Sequence, residues 1–308
     1  MNTNTGQKGS VIKIPADFFS KVEMDSEYVV YGDTDSLYLN IKSIKPNSTE
    51  EAINQSKKIS EDINKIIKDY LDGYFLPKSG VSKEYNCIDF KTEVICSAMI
   101  LLDVKKNYVY RMIAKEGVIL DKPKTKYVGI PVVRSDYSDL TRDMIRDVIE
   151  SILDGSKPEK IASIISDYKK TMNKHISEYS FKYIGIPVKW AMREYVRDTA
   201  QIIGMKLYNI LTGVEKFRQT VSGRRIPINI LNGVRFTSYI HTKDGSDYIS
   251  EIGGVDKIKF ICIPDDYSPD DIKRIMNDSG IVVDSARLWD ISYSKTLKRI
   301  VKLLEEKI

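Results

Sequence analysis

The spacing of apolar residues changes part-way along the chain, and that change sets the fold class. Up to about residue 120 most apolar residues alternate with polar ones or form short β-prone runs, as strands require. Beyond residue 135 they recur every three or four positions, the period of a helix with one buried face. In the first part, Tyr28 to Tyr31 is β-prone, Gly32-Asp33-Thr34 reads as a turn, and Leu37 to Ile41 alternates, which predicts strand–turn–strand. Residues 88–102 and 107–120 read as further strands, with Gly117 at a turn. One amphipathic helix interrupts them, from Thr49 to Leu71. Ser48 and Glu51 form its capping box, and Ile53, Ile59, Ile63, Ile66, Ile67 and Tyr70 its apolar stripe.

Pro123, Gly129 and Pro131 then break regular structure, which puts the domain boundary near residue 134. Ser138 caps a helix that ends near Gly155, Pro158 opens a second, and a third runs from near Pro187 to Leu211. Strands are predicted over 226–240 and 257–263. A short helix opens at Ser268-Pro269, and a final helix starts near Asp284. Leu297, Ile300, Val301 and Leu304 fall at helical spacing, so the last helix should pack, and Trp190 and Trp289 should be core anchors. The expected class is α+β: a partial antiparallel sheet with a packed helix over residues 1–134, then a mainly helical domain with a small β element over 135–308.

Composition excludes several kinds of chemistry. Three scattered cysteines and two distant histidines offer neither a disulfide framework nor a zinc set. No apolar run approaches the ~20 residues of a membrane helix, and residues 1–10 hold no apolar signal core. No membrane association is expected, and the compartment predicted is the cytoplasm. Charge is unevenly placed. Residues 105–134 carry eight basic and two acidic side chains, and residues 189–235 carry nine and three. Two basic islands on a near-neutral background suit a polyanion. The same pattern also arises as solvated surface.

Tyr31-Gly32-Asp33-Thr34-Asp35-Ser36 carries the chemistry. Side chains at i and i+2 of an extended chain share a face, so Asp33 and Asp35 can converge on one point. Two hard carboxylates at a turn between apolar strands make a Mg²⁺ site, and two such ions serve phosphoryl transfer. A bare D-x-D also occurs as a solvated turn, or as the metal–nucleotide-sugar site of some glycosyltransferases.

The full six-residue string resembles the YGDTDS signature of family B DNA polymerases. That resemblance implies a palm hairpin on which Asp35 binds both catalytic Mg²⁺ ions and Asp33 supports the site and the primer end. Lys105-Lys106-Asn107-Tyr108 is similar to the family's K-K-x-Y element, with Asn107 in place of the usual Arg. It implies that Lys106 and Tyr108, beside Lys105, touch the minor groove of the primer–template. Acceptors there are common to all base pairs. Asp89-Phe90-Lys91-Thr92-Glu93 resembles the acidic palm strand, with Glu93 as its carboxylate and Lys91 departing from the usual acid. Tyr127-Val128-Gly129-Ile130 and Arg134-Ser135-Asp136 resemble the crossing into a helical thumb. In that thumb Lys189, Arg193, Arg197, Arg224 and Arg225 would follow duplex phosphates. Replicative polymerases of tailed phages look nearest in layout, which would make the compartment the host cytoplasm.

Other family landmarks are not found in these 308 residues: the exonuclease carboxylates, the fingers helix, and the second palm aspartate. The resemblance therefore implies a split, heteromeric polymerase. An upstream fragment would bring exonuclease, fingers and the rest of the palm, and the two ions would be shared with that partner. Substrates would be primer–template DNA and deoxynucleoside triphosphates. An exposed apolar face is expected around Val29, Val30, Leu37 and Leu39. The competing reading is a non-catalytic DNA-binding subunit of a replication complex.

Overall fold

The computed structural model describes residues 29–33, 36–40, 46–102, 104–189, 199–213, 222–230, 237–241, 247–251, 258–293, 297–298 and 300–301. β1 (Val29–Asp33) pairs antiparallel with β2 (Ser36–Leu39), with Tyr31 opposite Tyr38, Gly32 opposite Leu37 and Asp33 opposite Ser36. The strand therefore continues to Asp33, past the point where a turn was expected. Gly32 sits inside a strand, with no left-handed φ.

α1 (Thr49–Tyr70) starts where its cap predicts, since Ser48 Oγ accepts from the Glu51 amide at 3.2 Å. The Glu51 carboxylate reaches back one residue further than a standard box and accepts from the Asn47 amide at 2.7 Å. The helix runs into a π-type turn, Leu71–Phe75, and α2 (Leu76–Ser79). β3 (Val94–Leu101), β4 (Tyr108–Lys115) and β5 (Val118–Val128) form a sheet in that order.

Two expectations fail here. Residues 88–93 are not strand, because their polar groups bond to α1 instead. Asn64 donates to the Phe90 carbonyl at 2.8 Å and accepts from the Phe90 amide at 2.6 Å, and Thr92 Oγ1 donates to the Ser56 carbonyl. Pro123, in contrast, does not break β5. An edge strand has one side free of ladder bonds, so a missing N–H is tolerated there.

α3 (Asp139–Leu153) is capped by Ser138 Oγ at the Thr141 amide, and α4 (Pro158–Ser177) begins on Pro158 as expected. α5 (Phe181–Ile184) leads into β6 (Ile186–Lys189), where the sequence predicted the start of a helix. Pro187 is in extended chain because β6 pairs with a strand 36 residues downstream, placing Pro187 opposite Arg224. The helix itself is α6 (Ala200–Thr212), capped by Thr199. β7 (Ser222–Ile230) is flanked by β10 (Phe260–Pro264) on one side. On the other lie β6 and then β11 (Ile281–Val283). β8 (Thr237–His241) and β9 (Asp247–Glu251) form a separate hairpin. α7 (Pro269–Asp278) and α8 (Ser285–Tyr293) complete the described elements, with Asp284 Oδ1 accepting from the Arg287 amide. Helices with antiparallel sheets make the class α+β, as predicted.

The chain forms two compact units: residues 1–95 with 114–119, and residues 96–113 with 120–308. Among the described residues of the first, the buried apolar side chains are Ala52, Ile53, Leu76 and Ala114. Among the described residues, eight of the eleven exposed large hydrophobic side chains belong to it, including Tyr85, Ile88, Leu37 and Val30. Among the described residues the second has two large cores and a small cluster of Val188, Met205 and Cys262. One large core joins Leu140, Phe181, Ile226, Ile261 and Met276, and the other joins Val109, Ile130, Met144, Ile149, Leu297 and Ile300. Burial of Leu297 and Ile300 agrees with a packed terminal segment, whereas Leu304 lies outside the described residues. Trp289 packs against both cores, and Trp190 lies outside the described residues. All three cysteines are free thiols.

Candidate functional site

The hairpin's geometry follows from its register. Asp33 faces Ser36, so only Thr34 and Asp35 separate the two strands, and both lie outside the described residues. A two-residue connection is the tightest common link between antiparallel strands. The hairpin is held by Tyr31 and Tyr38, whose rings lie 5.6 Å apart. Val30 and Leu37 are 41% and 47% exposed, while Val29 and Leu39 are half-buried. Half of the expected apolar face is thus open. Glu93 is exposed immediately before β3, and its carbonyl accepts from the Glu116 amide at 2.7 Å. Among the described residues no group of three Asp, Glu, His or Cys side chains is placed to hold a metal ion.

The basic element after β3 is a tight, ordered turn. Lys105 and Lys106 are exposed, and Lys106 has φ +62°. Asn107 closes the turn: its amide donates to Val104 O, its carbonyl accepts from the Leu102 amide, and its side chain donates to Lys105 O. Tyr108 then enters β4 and stacks on Tyr110 at 6.2 Å. Gly129 lies directly against this turn. A Cβ at Gly129 would sit 2.2 Å from Lys106 O, and its φ is +66°, so both contact and conformation demand glycine. The two separate motifs, 105–108 and 127–130, meet at that point. Gly129→Ala should destabilise the chain by more than about 1 kcal/mol, the usual scale for Ala at a positive φ. Chemical unfolding checks it, and an unchanged denaturation midpoint would contradict the contact.

A polar cluster that sequence reading missed fastens this sheet to α3. Arg111 of β4 bonds Glu150 at 2.6 Å and also Asp154, and Tyr127 of β5 donates to Glu150 at 2.6 Å. Burial pushes the Glu150 carboxyl up, but hydrogen bonds from Tyr127, Thr125 and Arg111 outweigh it and hold it below the usual range. Burial, and then Glu150, push the Tyr127 hydroxyl up. A depressed carboxyl stabilises the fold above its unfolded value of 4.5 and loses that contribution as pH falls below it. Glu150→Gln should cost ~1–3 kcal/mol at neutral pH and flatten the loss of stability below pH 4.5. Unfolding curves at both pH values test this. Partners 23 to 43 residues apart leave no local signal in the sequence.

The second basic island divides. Lys189 is exposed at the end of β6. Arg224 is only 12% exposed and pairs with Asp265 at 2.8 Å and with Asp139 at 3.9 Å, so it braces β7 instead of offering a surface charge. Arg225 points its guanidinium over Phe260 at 4.8 Å. Arg193 and Arg197 lie outside the described residues.

Comparison with known proteins decides the family, because the family model described as DNA polymerase family B matches residues 5–187. The chain belongs to DNA polymerase family B. It is 24% identical over 158 residues to a DNA polymerase alpha catalytic subunit of Sterkiella nova, covering 50% of this chain and 9% of that protein. It is 26% identical over 175 residues to a DNA polymerase of Choristoneura biennis entomopoxvirus, covering 52% of this chain and 17% of that protein. This family B chain spans less than a fifth of either relative's length. Among its described residues no helix is long and apolar enough to cross a membrane.

Proposed function

We propose that this chain supplies the metal-holding palm hairpin and the duplex-gripping thumb of a DNA-directed DNA polymerase. Residues 1–134 act as the end of the palm and residues 135–308 as the thumb. The observation that carries the reading is the hairpin register, which leaves Thr34 and Asp35 alone between two paired strands in a family B chain. Two hard carboxylates beside one tight link fit a hard divalent cation. Asp35, Asp33 and, from the acidic segment 89–93, Glu93 would hold Mg²⁺. When bound, such ions neutralise charge developing on the transferring phosphate.

The protein's own residues hold and orient the DNA. Lys106, on the exposed turn closed by Asn107, donates to minor-groove acceptors shared by every base pair, so grip does not depend on sequence. Lys105 and Tyr108 flank it. Lys189, Arg193, Arg197 and Arg225 neutralise phosphates beyond it, and Arg224 serves them as a brace.

The fingers, the remaining palm acid and the exonuclease act from outside these 308 residues. We assign them to an upstream part of the polymerase, of phage type, working in the host cytoplasm. The exposed apolar side chains of the first unit supply the surface such a partner would cover. The DNA-holding half of the reading is tested by Lys106→Ala. Primer–template affinity should fall by ~1–3 kcal/mol, the scale of a charged hydrogen bond, and products should shorten. Unchanged affinity and product length would contradict a groove contact.

A further inference from the structure

β5 has two distinct faces. Thr125 and Tyr127 bond Glu150 of α3, so odd-numbered side chains at that end point to the helix. Alternation puts Lys122, Lys124 and Lys126 on the opposite face, and all three are exposed. On β4, Val109 is buried in the core with α3 and Arg111 bonds Glu150. Tyr108 and Tyr110, stacked on each other, therefore share the lysine face. None of the three lysines forms an ion pair among the described residues. Asp121, the single acid between residues 117 and 134, falls on the other parity of the strand.

A two-residue step along such a strand is about 6.8 Å. Phosphates of one DNA strand advance about 3.4 Å along the helix axis but also wind around it, so neighbours on the strand lie close to one lysine step apart. We propose that Lys122, Lys124 and Lys126 form a ladder that tracks the phosphate backbone of one strand of the bound duplex. The Lys106–Tyr108 element lies at the start of the neighbouring strand, near the Lys126 end of the ladder, where Gly129 meets Lys106. The proposal rests on the polymerase reading and adds a contact line that its motifs do not include. The rival explanation is that the lysines and Pro123 merely guard a free sheet edge against aggregation, a common use of Lys and Pro on edge strands.

Charge reversal separates the two, because glutamates guard an edge as well as lysines but repel phosphate. The full chain is titrated with a labelled duplex of random sequence across a salt series, by fluorescence anisotropy. Lys122→Glu, Lys124→Glu and Lys126→Glu together should reduce the magnitude of the slope of log K against log salt by ~2.7, at ~0.9 per phosphate. Lys160→Glu, Lys170→Glu and Lys174→Glu on α4 make the same change in net charge and should leave most of the slope. Should the triple variant fold poorly, Lys124→Gln, which keeps two charges on the edge, should still remove ~0.9. Slopes equal to those of the α4 control would overturn the ladder while salt-dependent binding by the wild type upheld the polymerase reading. No duplex binding by the wild type even at low salt would overturn both.

Discussion

Asp35→Ala, assayed with the remaining polymerase parts present, should lower primer extension by several orders of magnitude at near-normal DNA affinity. A carboxylate at the reacting centre acts where charge develops in the transition state, so its loss is felt in rate far more than in binding. Asp33→Ala should cost less, since the family resemblance gives Asp33 a supporting role. Asp35→Asn keeps the shape of the side chain and removes only its charge, so it should be nearly as damaging as alanine. If activity followed shape instead, with Asn close to wild type, Asp35 would be a turn residue and not a metal ligand. Extension rates at saturating Mg²⁺ and nucleotide, with DNA affinity measured separately, distinguish these outcomes.

Much of the fold was legible because its signals are local. Ser48, Ser138 and Pro158 each mark a helix start that the structure reproduces, since a cap depends on amides two or three residues away. The hairpin was legible as a string, although its first strand runs on through Gly32 to Asp33. Failures came where distant partners decide. Pro187 reads as a helix start, but pairing of β6 with β7 holds it extended. Pro123 reads as a breaker, but only the sheet order reveals that its strand is an edge. Arg224 reads as a surface cation until Asp265 and Asp139 are seen beside it. The same holds for the chemistry. The motifs named Lys106 and Gly129 separately, whereas their contact is a property of the folded turn.

A polypeptide of these 308 residues should not extend a primer by itself. A two-metal site needs carboxylates and substrate contacts beyond one hairpin. Its first unit also leaves apolar side chains such as Tyr85, 74% exposed, without cover. Surfaces of this kind bind partners or aggregate, so the chain should be more soluble when co-expressed with the upstream part of the enzyme. A DNA-binding subunit without catalytic duty would behave differently: its partner's synthesis would survive loss of Asp35. The most direct measurement is therefore Mg²⁺-dependent primer extension by this chain, by a polypeptide carrying the exonuclease, fingers and remaining palm, and by the two mixed. The mixture alone should synthesise DNA, and Asp35→Ala in this chain should abolish it. Robust synthesis by this chain alone, or by a mixture carrying Asp35→Ala, would contradict the account.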